Sequence, residues 1–417
     1  MTNKPIAIVL GGTIPHIALI KKLKLRGYYV ILIDYLDNPP AKQYADKHLK
    51  ESTLDKDLVL KLSNDYNAEI VISTCIDQAN SICCYVAERL NLPHPYSYQT
   101  SLDVTDKVRM KDIMIKNDIP TSNYVHVRNI EEALNQRLNY PLMVKPADSN
   151  SANGVKKVIN EKELKQYLPI AISFSRNGYA IVEEFVSGVE ISAYCVIVNN
   201  KAKLLMAQER ISVIDGDTKT IKCFASFAPA RITSIAMQKA EEIATQIANV
   251  FNLNNTPLFF QGIVNGDDIS IIEFAPRVGG GISSQTILYG TNFDIIEAAI
   301  DSFFCKPIDI STWCPMKNIF AVNQIYGSNG IYDQTVGGDE LLSDGTIKSL
   351  SFYKKKGDRI DESRASSSRI GVMVFNADSI ASIRNKIKTA FSNIDCLNPD
   401  GKSLIRRDLN LDNLWNV

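Results

Sequence analysis

The sequence of 417 residues has no excess of charge of either sign, because 46 Lys and Arg residues balance 46 Asp and Glu residues. A surface that binds nucleic acid or an anionic membrane needs a basic excess, so neither partner is expected. No apolar run is long enough to span a membrane, and the first one, Ile6–Leu10, is too short for a signal peptide. These absences favour a cytoplasmic protein with no membrane or nucleic-acid partner.

Patterns that bind zinc or form disulfides are also missing. The four histidines are far apart and show no metal-ligand spacing. The eight cysteines include no C-x-x-C pair, and Cys83 and Cys84 lie in an apolar helical pattern. We therefore expect reduced cysteines in the core of the protein. A Ser-His-Asp or Cys-His signature is absent as well, so no side-chain nucleophile is assigned.

The first hundred residues alternate between strand and helix patterns. Such alternation is typical of a doubly wound parallel sheet. Gly11 and Gly12 follow the first strand without the full G-x-G-x-x-G of a dinucleotide site, so a tight turn that helps to line a substrate cleft is favoured over a cofactor loop. The predicted strands are Ile6–Leu10, Tyr28–Asp34 and Glu69–Thr74, and the predicted helices end at Arg26 and cover Asp77–Leu90.

Pairs of strands replace this pattern after Leu92–Gln99, a linker with two prolines. From about 103 to 301, the segments AYCVIV–NN–KAKLLM and FFQGIV–NGDD–ISIIEF predict antiparallel hairpins. Beyond Lys306, a strand over Ser368–Phe375 and a helix over Ser379–Phe391 predict a small α+β unit. The expected fold is therefore α/β plus α+β, with domains at 1–100, 101–305 and 306–417.

A strand that ends in a lysine is followed by a loop of small residues in Tyr140–Val158. The strand delivers Lys145, and the loop runs to Gly154. Phosphates need a fixed cation and a loop with little side-chain bulk, whose N–H groups can face the phosphate oxygens. A surface hairpin with a lysine at its edge is the alternative, and the residues alone leave both interpretations open.

Acidic residues border a turn in Ala180–Ser192. Glu183 and Glu184 close an apolar strand, and Glu190 follows the turn at Gly188. Strand backbone groups with carboxylate acceptors suit the adenine and ribose of a nucleoside. Solvated acids on an edge strand are the alternative, and this motif taken alone favours that alternative.

Polar residues interrupt two apolar strands between Phe259 and Gly281. Gln261 and Glu273 are expected to be buried or to face a cleft, and oxygen ligands on adjacent strands suit magnesium. Arg277 can stabilise charge in phosphoryl transfer, and the three glycines that follow let the backbone approach an anionic substrate. A β-hairpin followed by a flexible loop is the alternative.

The length of the hairpin loop decides whether Gln261 and Glu273 can share a metal ion. Side chains alternate across a strand, so the two lie on one face only if the loop has an odd number of residues. Asn265-Gly266 alone favours a two-residue turn, which would separate them. Because the magnesium site needs both, we predict an odd loop, with both side chains facing the same cleft as Lys145 and Glu190.

In their order and spacing, these three segments resemble the ATP-grasp superfamily, in which the nucleotide lies between two α+β subdomains. The resemblance covers nearly the whole chain. The N-terminal part looks like the pre-ATP-grasp domain of the biotin carboxylases. The C-terminal part looks like the small terminal domain of the biotin-carboxylase and purine-ligase branch. ATP and Mg²⁺ are the cofactors that the resemblance implies, and Mn²⁺ can substitute for Mg²⁺.

The resemblance also implies a role for each matching residue. For the nucleotide, it assigns Lys107, from Thr105–Pro120, and Lys145 to the phosphates, Ser149 and Gly154 to the nucleotide loop, Glu184 and Val186 to adenine with Glu183 close by, and Glu190 to the ribose. For the metal, it assigns Gln261 and Glu273 to magnesium, as in the carbamoyl-phosphate synthetase branch. For the substrate carboxylate, it assigns Arg277, Gly279, Gly280 and Gly281, as in L-amino-acid ligases.

The expected enzyme is an ADP-forming carboxylate–amine ligase that acts through an acyl-phosphate on an amino acid or another small carboxylate. Arg277 and Lys145 are its catalytic residues, and a homodimer is possible. Ala275 stands where a third metal ligand is frequent, so the number of magnesium ions stays open. The alternatives are a purine-type ligase that uses formate or bicarbonate, and a nucleotide-binding module without ligase turnover.

Overall fold

The computed structural model describes residues 4–147, 154–175, 177–215, 221–363 and 365–409. The chain divides into two compact units by packing. The first comprises 1–122, 192–206 and 232–315, and the second comprises 123–191, 207–231 and 316–417. The three domain boundaries expected from the sequence stay a prediction.

The described residues form twenty strands and twelve α-helices. The strands are β1 (Ile6–Leu10), β2 (Tyr29–Ile33), β3 (Lys47–Leu49), β4 (Ala68–Ile72), β5 (Tyr124–Val127), β6 (Leu142–Pro146), β7 (Lys156–Val158), β8 (Ala180–Glu184), β9 (Val189–Val198), β10 (Lys201–Ile214), β11 (Ile221–Ala228), β12 (Thr256–Asn265), β13 (Asp268–Ala275), β14 (Ile319–Tyr326), β15 (Gly330–Ile331), β16 (Gln334–Val336), β17 (Ser349–Phe352), β18 (Arg359–Ile360), β19 (Arg369–Ala377) and β20 (Asp395–Leu397). The helices are α1 (Ile14–Leu25), α2 (Lys56–Asp65), α3 (Asp77–Leu90), α4 (Tyr98–Thr105), α5 (Lys107–Lys116), α6 (Ile130–Leu134), α7 (Glu161–Ser173), α8 (Ser234–Val250), α9 (Ser283–Thr291), α10 (Ile295–Phe303), α11 (Gly338–Ser343) and α12 (Ile380–Asn393).

A parallel sheet in the order β3-β2-β1-β4 lies in the first unit. Ala7–Leu10 and Val30–Ile33 are fully buried, as expected for central strands of a parallel sheet with helices on its faces. α3 covers the predicted Asp77–Leu90 and ends at Asn91, which has a left-handed φ of 53°. The doubly wound N-terminal sheet is therefore confirmed.

Both predicted hairpins are present. Asn199 and Asn200 join β9 to β10, and both have positive φ, as in the turns that match the twist of two paired strands. β12 and β13 pair antiparallel in the first unit. These hairpins carry the sequence motifs from which the site was predicted.

The second unit contains two antiparallel sheets. One has the order β5-β8-β6-β7, and α7 packs on β6 and β7 over a core that includes Val144, Leu168 and Val182. The other runs β10-β11-β14-β19-β17, with α12 packed on β19. β19 and α12 are the strand and helix predicted for the C-terminal region, so the α+β part of the fold is also confirmed.

All eight cysteines lie among the described residues, and all are free thiols. Cys83, Cys84 and two others are buried, but Cys305 and Cys314 are exposed, so the expectation of core cysteines is wrong for these two. Burial raises the pKa of the Cys83 thiol well above its usual range, which keeps it protonated and unreactive. None of the described helices is long and apolar enough to cross a membrane.

A buried ion cluster joins the end of β10 to the C-terminal region of the second unit. The Asp215 carboxylate contacts the ammonium of Lys222, and both side chains are fully buried. Arg406 lies 3.3 Å from Asp215 and 3.1 Å from Glu362. The cluster therefore fixes the C-terminal end of β10 and the start of β11. Arg210 lies on β10 a few residues before this end.

We expect Asp215→Asn to destabilise the second unit by about 3–5 kcal/mol, because it leaves the buried Lys222 ammonium without its counter-charge. Urea unfolding followed by circular dichroism measures the shift. The control is Glu161→Gln, which removes an exposed partner of Lys165 and should change stability by less than about 1 kcal/mol. Equal transitions for Asp215→Asn and the wild-type protein would show that the cluster does not stabilise the unit.

Candidate active site

The β12–β13 hairpin does not have the predicted odd loop. Asn265 pairs with Asp268, so the two residues Gly266 and Asp267 close the turn. The odd loop is therefore wrong, and the turn is also displaced by one residue from the Asn-Gly turn considered as its alternative. Gly266 has a φ of 61°, a left-handed value that glycine adopts without strain.

A β-bulge corrects the alignment further along the same hairpin. The register shifts between Gln261 and Gly262: Gly262 pairs with Ile271, whereas Gln261 pairs with Glu273, which leaves Ile272 as the extra residue. Gln261 and Glu273 are thus direct cross-strand neighbours, and such neighbours project from the same face of a sheet. The common face that a shared metal ion requires is present although the loop differs.

Lys107 already places a positive charge at this face. It is the first residue of α5, which is capped by Asp106, and its ammonium contacts the Glu273 carboxylate. Both side chains are mostly buried. An ammonium held by this carboxylate shows that the position accommodates a cation, and an amide and a carboxylate oxygen are donors that suit Mg²⁺. The residues therefore fit a magnesium ion.

Arg277 follows β13 and is held by an aspartate from the start of α3. Its Nε and Nη2 donate to the two carboxylate oxygens of Asp77 at 2.6 and 2.9 Å, and its Nη1 donates to the Val278 carbonyl at 2.9 Å. Burial lowers the pKa of Arg277, but the Asp77 carboxylate outweighs that effect, so the net pKa is raised. The guanidinium is a permanent cation in a nearly buried position.

The three glycines after Arg277 have different surroundings. A Cβ on Gly279 would lie 2.3 Å from Cε1 of Tyr194, so only glycine fits there. Gly280 and Gly281 are exposed, with no described atom within 4 Å of an added Cβ, and Gly281 has a φ of 67°. Gly279 is thus required by packing, and Gly280 and Gly281 leave open space in the segment after Arg277.

Lys145 ends β6 in the second unit and forms a buried ion pair. Its Nζ lies 2.6 Å from the Glu183 carboxylate on the neighbouring strand β8, and both side chains are about nine-tenths buried. An ammonium has three N–H groups, so this contact leaves Lys145 with donors for another anion. Glu183 therefore contacts the predicted phosphate lysine directly.

The Glu184 side chain forms hydrogen bonds with two neighbouring segments of the chain. Its carboxylate accepts hydrogen bonds from the Asn139 backbone and side chain at 2.8 Å and from Asn123 at 2.9 Å. The Asn139 backbone N–H is the main reason that the pKa of Glu184 is lowered. The strand ends here, and Val186 is half-buried in the segment that leads to β9.

Glu190 is the second residue of β9 and pairs with Arg210 of β10, whose Nε lies 2.7 Å from the Glu190 carboxylate. Gly154 has a φ of 71°, and a Cβ there would meet Pro146 at 2.9 Å. Ser149 and the rest of 148–153 lie outside the described residues. Lys145, Glu183, Glu184, Val186 and Glu190 all belong to the second unit, and their place in one cleft with Gln261 and Glu273 stays a prediction.

The turn at Gly11 and Gly12 is packed tightly against Asp34 and Pro39. The Gly12 N–H donates to Asp34 at 2.7 Å, and a Cβ on Gly12 would lie 2.5 Å from Cβ of Pro39. This geometry explains the glycine as part of a tight turn.

Asp77 is a candidate site residue that the sequence patterns did not indicate. It lies 200 residues before Arg277, so no local pattern links the two. A signal was available, because Asp77 follows the carboxyl end of β4, and ligands of parallel α/β sheets bind beyond the carboxyl ends of the strands.

Comparisons with known proteins find a matching family model and similar curated proteins. Residues 113–257 match the family model of the D-ala D-ala ligase C-terminus. The formate-dependent phosphoribosylglycinamide formyltransferase of Prochlorococcus marinus (strain NATL1A) is 25% identical over 388 residues, which cover 90% of this chain and 94% of that protein.

Two solved structures show the same fold over nearly their whole length. L-amino acid ligase from Bacillus licheniformis has a TM-score of 0.78 at 17% identity, covering 95% of this chain and 99% of that one. The biotin carboxylase domain of Hydrogenobacter thermophilus 2-oxoglutarate carboxylase, in complex with MgADP, ADP and bicarbonate, has a TM-score of 0.76 at 13% identity, covering 100% of both chains.

Residues 113–257 are therefore similar to an ATP-grasp domain of the D-ala D-ala ligase type, and the chain has the fold of the L-amino acid ligase and biotin carboxylase structures. The chemistry of an ADP-forming carboxylate–amine ligase fits these likenesses.

We expect Gly279→Ala to destabilise the first unit by about 1–3 kcal/mol, because the added methyl overlaps Tyr194, whose ring centroid lies 5.3 Å from that of Phe259. Gly280→Ala is the matched control and should leave stability nearly unchanged, since its methyl enters open space. Thermal unfolding of the two variants gives the comparison. Equal losses would mean that Tyr194 does not define the space at Gly279.

Proposed function

We propose that this enzyme activates a small carboxylate with MgATP and joins it to an amine. The carboxylate oxygen attacks the γ-phosphorus of ATP, ADP leaves, and an acyl-phosphate forms. The amine nitrogen then attacks the acyl carbon, phosphate leaves, and the nitrogen gives up a proton. This sequence replaces a poor leaving group with a good one, so the protein mainly positions reactants and stabilises charge.

The observation that carries the proposal is the arrangement at the end of β13. Gln261 and Glu273 face one side of the hairpin, and Arg277, two residues beyond the strand, presents a buried cation. A carboxylate substrate bound by Arg277 would be held near the strand that carries the metal ligands. Gly280 and Gly281 leave room for its side chain.

Magnesium would be held by Gln261 and Glu273, where it would neutralise charge on the phosphates when bound. Lys107 would then leave Glu273 for a phosphate oxygen, because two cations at one carboxylate repel each other. Ala275 provides no oxygen side chain, so the proposal needs only one magnesium site from these residues. Mn²⁺, which has similar oxygen chemistry, would serve in its place.

The nucleotide would be bound by the residues of the second unit. Lys145 would donate its remaining N–H groups to the α- and β-phosphates while Glu183 holds its position. The backbone between Glu184 and Val186 would meet adenine, since the Glu184 side chain is already engaged by Asn139 and Asn123. Glu190 would accept from the ribose hydroxyls, and Ser149 and Gly154 would belong to the phosphate loop.

An amino acid or another small carboxylate is the proposed acid, and a small-molecule amine is its proposed partner in the reaction. Formate is the second candidate, because the Prochlorococcus relative, matched over 90% of this chain, is named as formate-dependent. A homodimer and a cytoplasmic location are also part of the proposal.

ADP release measured over a matrix of carboxylates and amines tests the proposal. The acids are amino acids, formate, bicarbonate and small aliphatic carboxylates, and mass spectrometry identifies the product. Release that depends on both an acid and an amine supports the ligase. If formate is the only acid that supports ADP release in the presence of an amine, the formate-using ligase is the correct candidate. ADP release that no acid stimulates would contradict both candidates.

We expect Lys145→Ala to lower kcat at least about a hundredfold, because a charge-assisted phosphate contact in a closed site is lost. The variant also leaves Glu183 buried without its cation, so Lys145→Met/Glu183→Gln, which removes both charges, separates catalysis from folding. Lys165→Ala, which changes an exposed side chain on α7 of the same unit, is the control. A folded double variant with normal kcat would remove Lys145 from the phosphate site.

We expect Glu273→Gln to abolish tight Mn²⁺ binding, whereas Lys107→Ala should tighten it about tenfold in the absence of nucleotide, because the competing ammonium is gone. Titration of Mn²⁺ followed by electron paramagnetic resonance measures both without turnover. Glu241→Gln, which removes the partner of Lys203, is the control. Mn²⁺ affinity that does not respond to Glu273→Gln would place the metal elsewhere.

A further inference from the structure

Asp77 and Arg277 form an ion pair in which the carboxylate occupies the Nε–Nη2 edge of the guanidinium. Asp77 accepts from Nε and Nη2 together, so the two planar groups lie edge to edge. Two simultaneous hydrogen bonds fix both the position and the plane of the guanidinium, which a single contact would leave free to rotate. The Val278 carbonyl adds a third bond from Nη1.

A guanidinium carries five N–H groups, and this arrangement uses three. Among the described residues, one N–H of Nη1 and one of Nη2 have no acceptor. Because the group is planar, the remaining N–H of Nη2 points away from the edge that Asp77 occupies. A buried cation with donors to spare indicates an anionic ligand that the protein itself does not supply.

The surroundings allow little movement of Arg277. Its side chain is only 13% exposed, and its guanidinium carbon lies 5.6 Å from the centroid of the Phe259 ring. Tyr96 is buried close to Asp77 and Arg277, and burial, reinforced by the charge of Asp77, raises the pKa of its hydroxyl. The phenol therefore stays neutral beside the ion pair.

We propose that Asp77 is a positioning residue for the carboxylate substrate. It holds Arg277 by its Nε–Nη2 edge and so directs the unused N–H groups at the substrate carboxylate and the acyl-phosphate that replaces it. This inference rests on the proposed function, in which Arg277 binds the acid. It adds that recognition of the acid depends on an aspartate at the start of α3, which itself does not touch the substrate.

A purely structural ion pair would behave differently. Removing it would weaken the fold and would lower activity with every substrate to a similar extent. A positioning residue acts through its partner, so its loss should affect the KM of one substrate and should have no further effect once the partner is changed.

The test compares Asp77→Asn, Arg277→Lys and the double variant with Asp301→Asn. Asp301 pairs with Arg26 at 2.7 Å in the same unit, so its variant removes a comparable Asp–Arg pair away from the site. The measurements are kcat and the separate KM values for ATP and the acid, together with the binding of formate and acetate by saturation-transfer NMR. Chloride at equal ionic strength is the reference for the NMR titrations.

We expect Asp77→Asn to raise the KM of the acid at least tenfold while the KM of ATP changes less than twofold. In the Arg277→Lys background, Asp77→Asn should cause no further loss of acid binding. Asp77→Glu, which keeps the charge, should recover part of the affinity, and this variant keeps the test informative if Asp77→Asn unfolds. Asp301→Asn should match the wild-type protein in both KM values.

Equal increases in the two KM values, or additive losses in the double variant, would overturn the positioning role. If the wild-type protein releases no ADP with any acid and amine, the proposed function fails. Formate and acetate binding then still tests Asp77, because weakened binding in Asp77→Asn supports the inference and unchanged binding contradicts it. Turnover in the wild-type protein with an unaltered Asp77→Asn variant would overturn only the role of Asp77.

Discussion

The parity of a β-strand is the constraint on which the first-unit site depends. Successive side chains project from opposite faces, so one residue more or less between two positions decides whether they share a face. The two-residue turn at Gly266 and Asp267 would separate Gln261 from Glu273, and the bulge residue Ile272 brings them back together. One extra residue in β13 therefore supports the whole assignment of a metal site to this hairpin.

Each candidate cation is held by a carboxylate before any ligand is present. Lys107 contacts Glu273, Lys145 contacts Glu183, and Arg277 contacts Asp77. Burying an isolated charge costs several kcal/mol, so such a lysine or arginine needs a partner in the resting protein. The consequences differ between the pairs. Glu273 must exchange its cation to bind a metal, whereas Glu183 and Asp77 can keep theirs and act as fixed supports.

Periodicity was enough to predict most of the fold. The alternation of β1, β2 and β4 with their helices gave the parallel sheet, and α3 was predicted to the residue because its apolar residues follow the helical period. The Asn-Gly signal was misleading by one residue, since Gly266 alone supplies the left-handed conformation that the turn needs. The bulge at Ile272 could not be predicted, because isoleucine is common in regular strands and gives no sequence signal for a bulge.

The site was predictable where a motif is local and not where two distant segments meet. Lys145, Gln261, Glu273 and Arg277 were proposed as site residues from strand ends and polar interruptions in apolar runs. Asp77 was not proposed, because its contact with Arg277 joins residues 200 positions apart in the sequence.

The distance between Asp77 and Arg277 in the sequence also determines when each becomes available during synthesis. At roughly 5–20 residues per second, Arg277 leaves the ribosome some 10–40 seconds after Asp77. The interval is long enough for the parallel sheet to form with Asp77 solvated at the start of α3 before Arg277 is available to pair with it.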